Sequence, residues 1–162
     1  MRLNLTAHAM PKLSRLLCVL TATLIAQLLG IRLFAQQQWS DDGNGYYEFT
    51  AEGIQFTHLL DAKKSTTYLK AAQLVPTGKQ DPLKVQSFEV SLDGESLLLF
   101  ANTKRVWRDN TRGEYWIFNR KTSQLTALGA GLPAASLMFA KLPPPGDRVA
   151  YVSKNNIYVE EL

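Results

Sequence analysis

The sequence predicts an all-β protein, a partial β-propeller of about two and a half antiparallel four-stranded blades behind an N-terminal signal segment. Three observations predict it. Short runs rich in Val, Ile, Tyr, Phe and Thr alternate with Asp-Gly or Gly-Asp turns, the pattern of antiparallel hairpins. One unit recurs, with copies beginning near Trp39, Phe88 and Leu137, a spacing of about 49 residues. Between residues 36 and 162 no stretch carries helical periodicity of useful length.

Residues 1–35 read as the signal segment. They hold Arg2, Lys12, Arg15 and Arg32 and no acid, around the apolar run Leu16 to Gly30. That run is short for a membrane span of about 20 residues. Cleavage after Ala35 is expected, with an uncleaved anchor as the alternative; both export residues 36–162. Cys18, the only cysteine, lies in this leader behind a bulky Leu17, which does not fit a lipid-acceptor position. No disulfide or thiolate chemistry is available downstream.

The body then unfolds in order. Trp39 to Gly45 is turn chemistry. Tyr46 to Phe49 favours a strand, and Glu52-Gly53 turns the chain. Ile54, Phe56 and His58 alternate with Gln55 and Thr57 along a second strand. Asp61 to Lys64 reads as a polar turn and Ser65 to Lys70 as a third strand. Ala71 to Leu83 is a connector broken by Pro76, Gly78 and Pro82. Val85 to Leu128 holds four strands: one through Phe88 and Val90, one at Leu97 to Phe100, an aromatic one at Glu114 to Asn119, and a short one at Leu125 to Leu128. The last copy runs SLMFAKL, a turn at PPPGD, RVAYVS, a turn at KNN and IYVEEL. Leu97 to Leu99, Tyr115, Trp116, Phe118, Met138 and Phe139 need cover from neighbouring units.

Composition excludes several functions. The formal charge of +4 resides in the leader, leaving residues 36–162 neutral, so no nucleic-acid face is indicated. There is no Gly-x-Ser-x-Gly elbow. The body has one histidine, His58, on an alternating strand, which reads as a strand residue and not a base. No metal ligand set and no phosphate loop occur, so no catalytic residue, metal or cofactor is assigned. The aromatics Tyr46, Tyr47, Tyr115, Trp116, Phe118 and Tyr151 read as packing. Only Trp107-Arg108, within RVWRDN, stands out. By residue type alone, Lys104, Arg105, Arg108 and Asp109 read more readily as a solvated loop than as a site.

Residues 38–162 resemble the N-terminal propeller of dipeptidyl peptidase IV, in the prolyl oligopeptidase clan of serine peptidases. QWSDDGNGYYEF resembles its first blade, and SFEVSLDGESLLLFAN with RVWRDNTRGEYWIFN its second. RVAYVSKNNIYVEEL is similar to a blade-ending strand pair. The resemblance implies an exported enzyme that releases N-terminal dipeptides, a C-terminal α/β-hydrolase domain carrying the triad, and a homodimer of the full-length enzyme. It also implies that Arg108, after tryptophan in the second blade, contacts a carbonyl oxygen of the bound dipeptide. A guanidinium suits this, being permanently charged with a rigid fork of donors. Three departures are visible, the first being that QQQW follows the leader directly where the family carries a further stretch before its first blade. Pro143 to Gly146 replaces a Ser-Pro-Asp-Gly-like turn, so the turn can survive but its Asp contact cannot. The paired glutamates that bind the substrate amino terminus have no counterpart, since Glu160 and Glu161 end a strand outside that motif. The expectation is a propeller part inactive alone. The alternative is a stand-alone exported binding or scaffold module.

Overall fold

A computed structural model describes residues 37–106, 108–144 and 146–162; the expected signal segment lies outside them. The described residues form eleven strands and one short 3-10 turn. The first sheet has four antiparallel strands in sequence order: β1 (Gln37–Trp39), β2 (Gly45–Thr50), β3 (Gly53–His58) and β4 (Asp61–Lys70). The turn Ala71–Leu74 leads to the second blade: β5 (Val85–Val90), β6 (Ser96–Val106), β7 (Asp109–Asn119) and β8 (Gln124–Ala127). The third has β9 (Leu137–Lys141), β10 (Arg148–Ser153) and β11 (Asn156–Glu161). One bridge, Gly113 with Leu137, joins β9 to the outer part of β7. The blade count expected from the sequence is therefore met, as four, four and three strands.

Two elements differ in kind from the sequence expectation, and two others, β6 and β7, run well past the expected Leu97 to Phe100 and Glu114 to Asn119. Gln37–Trp39 forms a strand because it pairs with Tyr46 to Glu48, which supply the ladder that its own residue types do not announce. The polar stretch Asp61–Lys64 is strand, and the turn falls on Leu59 and Leu60 instead, with His58 paired to Asp61. β4 is an edge strand, where charged side chains reach water freely.

The middle blade is buried on both faces, which explains the unbroken apolar run in β6. Leu97, Leu99 and Ala101 face blade one, packing with Phe118, Ile54, Leu69 and Phe88. Leu98 and Phe100 face blade three, with Tyr115, Ile117, Val149 and Tyr151. Most of the residues expected to need cover thus find it inside the chain. The exceptions are on blade three, where Phe139 is 63% exposed.

One turn design introduces the second strand of each blade. The Gly43, Gly94 and Gly146 amides each donate to a carbonyl three residues back, at Ser40, Ser91 and Pro143. All three glycines sit at φ near +69°, which glycine adopts without steric cost. In the second turn Ser91 Oγ donates to Asp93 (2.6 Å) and accepts from the Ser96 amide (2.9 Å). The Ser40 hydroxyl plays the same part towards Gly45 (3.1 Å). In the third turn Pro143 has no hydroxyl, yet its carbonyl still accepts from Gly146 at 2.9 Å.

Candidate functional site

The first strands of the blades, β1, β5 and β9, come together on one side, as the strands nearest a propeller axis do. Side chains clip them to one another. The Gln38 amide donates to the Val90 carbonyl (3.0 Å) and accepts from the Val90 amide (2.7 Å). Lys141 on β9 pairs with Glu89 on β5 at 3.0 Å. This pair is largely solvated, so its worth is at most about 1 kcal/mol.

The β6–β7 hairpin is longer than a blade needs. Ser96 to Ala101 and Glu114 to Asn119 form the blade proper. Beyond them β6 carries a bulge, with Asn102 at φ +48°, and the hairpin continues to Val106 paired with Asp109. The Asn102 side chain donates to Glu114 at 2.7 Å, which holds the bulge. Bulges re-aim a strand, and past this one the hairpin continues as a two-stranded arm with mostly exposed side chains. Gly113 lets the arm approach, since a Cβ there would lie 2.5 Å from the Phe100 ring and 2.8 Å from the Ala101 carbonyl oxygen.

Arg108 lies in the link at the end of this arm and is exposed. Trp107, its expected companion, lies outside the described residues. Arg105 and Arg112, also on the arm, are exposed. His58 sits half-buried in β3 with its ring edge-on to Phe56 at 4.9 Å. Glu160 accepts hydrogen bonds from the Gly129 amide (3.0 Å) and the Tyr151 hydroxyl, so its carboxylate fastens β11 to the loop after β8.

Below the arm is an open cleft of about 290 Å³ between blades two and three. Asn110 and Thr111 from the arm, Ser87 and Glu89 from β5, and Phe139 and Lys141 from β9 form its rim. Phe100 and Tyr115, stacked at 4.5 Å, form its floor. Burial pushes the Tyr115 phenol up, opposed by backbone hydrogen bonds from Ala140 and Phe139. The cleft offers neutral polar groups, one carboxylate, one ammonium and aromatic faces. It can hold an extended polar chain and has no nucleophile paired with a base. Among the described residues, no three His, Cys, Asp or Glu side chains gather as a metal site, and no helix is long and apolar enough to cross a membrane.

Sequence reasoning missed Gln38, Glu89, Phe139 and Lys141. Their roles arise from contacts between blades, and only the repeat alignment of Phe88 with Leu137 hinted that β5 and β9 are counterparts.

Comparison with known proteins agrees with this architecture. Residues 91–162 match the family described as dipeptidyl peptidase IV (DPP IV) N-terminal region. A probable dipeptidyl-aminopeptidase B of Chaetomium globosum is 35% identical over 72 residues, which is 44% of this chain and 8% of the relative. Dipeptidyl aminopeptidase B of Saccharomyces cerevisiae is 26% identical over 120 residues, 74% of this chain and 14% of the relative. The crystal structure of Porphyromonas gingivalis dipeptidyl peptidase 4 superposes with a TM-score of 0.67 at 22% identity, covering 78% of this chain and 18% of that one. The chain thus spans a small fraction of the length of the proteins it matches.

Proposed function

We propose, from the premise that this chain carries a dipeptidyl peptidase IV-like N-terminal region, that it is the substrate-holding part of an exported serine-type dipeptidyl peptidase. Release of N-terminal dipeptides would belong to the complete enzyme. Its nucleophile and base would come from an α/β-hydrolase domain outside these residues, because the 162 residues contain no Gly-x-Ser-x-Gly elbow. Alone, the chain is then inactive. Export follows from the basic and apolar leader.

One observation carries the reading: a bulged arm continues the β6–β7 hairpin beside an open cleft, with Arg108 exposed in its link. The arm is short and paired at Lys104–Arg112 and Val106–Asp109. The Arg108 guanidinium can donate to a peptide carbonyl, and a charge-assisted hydrogen bond of this kind is worth about 1.5–3 kcal/mol. The substrate's carbonyl is polarised and its register set; bond cleavage is left to groups on the other domain.

The test is to express the complete open reading frame containing these residues and measure release of Gly-Pro from a chromogenic amide. Release by the complete protein, and none by the 162-residue chain, is expected. A complete protein that binds peptides without cleaving them supports a binding module instead. Turnover by the 162-residue chain alone refutes the division of labour.

A further inference from the structure

Phe139 is the least expected side chain beside the cleft. It lies within β9, yet its φ is +54°, a region that bulky L-residues rarely enter. The register explains how. Lys141 pairs with Ala150 and Met138 with Val152, so Phe139 and Ala140 together face the single residue Tyr151 across the sheet. This is a β-bulge in which the left-handed position, ordinarily glycine's, holds phenylalanine. The bulge breaks the alternation of β9. Ala140 turns into the core, while the Phe139 ring stays 63% exposed at the cleft rim.

Among the described residues this large apolar ring is both strained and largely uncovered, which is unfavourable twice over. Strain of this kind concentrates at binding sites. The position is also specific. Continuing the antiparallel register from Gly113 and Leu137 along both strands sets Phe139 opposite Thr111, on the arm that ends at Arg108. Thr111 and Phe139 line the same cleft.

We infer that Phe139 is a specificity-determining residue of the peptide site: its ring forms the wall against which an apolar side chain of the substrate's N-terminal residue packs, beside the carbonyl held by Arg108. The inference rests on the peptidase reading above and adds the substrate class, peptides beginning with a bulky apolar residue. Glycine at the N-terminus would leave the ring in water; phenylalanine or leucine would cover it.

The experiment uses the complete enzyme and two chromogenic substrates, Phe-Pro and Gly-Pro amides, with Phe139→Gly and Phe139→Tyr. Glycine accepts φ +54° without strain, and this relief offsets its greater freedom in the unfolded chain, so Phe139→Gly removes the ring at little net backbone cost. The ratio of kcat/KM for Phe-Pro over Gly-Pro should fall about tenfold in Phe139→Gly, chiefly through KM, with no loss of melting temperature. Phe139→Tyr should keep the wild-type ratio. An unchanged ratio in Phe139→Gly, or an equal loss on both substrates accompanied by a lower melting temperature, overturns the inference. If turnover depends on Arg108 while the ratio ignores Phe139, only this inference fails. If the wild-type complete enzyme releases neither dipeptide, the peptidase reading fails and takes this one with it.

Discussion

Tyr68 shows how one side chain can join two blades. It occupies a bulge in β4, where Ile54 pairs with Leu69 and Gln55 with Thr67, leaving Tyr68 as the extra residue. Its hydroxyl donates to the Gly94 carbonyl at 2.5 Å, in the turn of the next blade. Arg120 lies 4.0 Å above its ring and donates to the same carbonyl at 3.1 Å. Burial pushes the Tyr68 phenol up to about 12. The unfolded chain releases this proton near pH 10, the folded one only near 12, so the stability it contributes is complete below pH 10 and is lost as pH rises through that window. Thermal unfolding followed from pH 8 to 12 should show the melting temperature falling above pH 10. Tyr68→Phe should flatten that fall and, at neutral pH, cost about 1 kcal/mol for the lost hydrogen bond. An identical alkaline profile in the variant would remove Tyr68 from the explanation. Gly113 makes a second residue-level case. A methyl group there meets the Phe100 ring and the Ala101 carbonyl, so Gly113→Ala should destabilise the protein by about 1–3 kcal/mol in denaturant titration.

At the level of elements, the turns that lead into the second strand of each blade repeat a geometry and not a sequence. Ser91 closes its turn through Asp93 and the Ser96 amide, and its hydroxyl holds the Asp93 carboxyl below the usual range. Ser91→Ala should therefore cost about 1 kcal/mol in equilibrium unfolding, leaving a buried amide at Ser96 without its partner. The third turn keeps its backbone bond at Pro143 without that side-chain closure, so its geometry comes from proline's fixed φ and from Gly146.

These elements also show what could be seen in advance. The strands of blade two were legible because turn residues bracket them and because a both-face-buried strand reads as continuous apolar residues. β1 was not, since Gln37–Trp39 is made a strand by its partners. The hairpin turn at Leu59 and Leu60 was hidden because Leu60, 98% exposed, has the composition of a strand residue. The Phe139 bulge is a register effect, set by what lies opposite, and no local pattern encodes it. Arg108 was marked by its family resemblance alone; its residue type on a polar loop argued for a solvated charge.

In the molecule as a whole, the two outer faces both mix polar and apolar side chains. The face of blade one turned away from the core carries Glu48, Gln55, Thr57 and Thr67 together with Tyr46 and the exposed Trp39. The corresponding face of blade three carries Met138, Ala150, Val152, Ile157 and Val159, with Lys141, Arg148 and Glu161 on the same face by register. Ile157 is 78% and Val159 59% exposed, on an edge strand whose outer backbone groups have no ladder partner among the described residues. Such an edge invites pairing between chains. The 162-residue chain should self-associate in sedimentation at tens of micromolar. Ile157→Lys with Val159→Lys should shift it towards monomer, whereas a wild-type chain that stays monomeric shows that this face tolerates water.

The proposed role of Arg108 in holding the substrate is open to direct measurement. The direct measurement is kcat/KM for Gly-Pro release by the complete enzyme with Arg108→Ala, against Arg112→Ala on the same arm as a charge control. Loss of the charge-assisted bond predicts a fall of about 10- to 100-fold for Arg108→Ala with an unchanged melting temperature, and less than a twofold change for Arg112→Ala. Wild-type kinetics in Arg108→Ala, or equal losses in both variants, would contradict it.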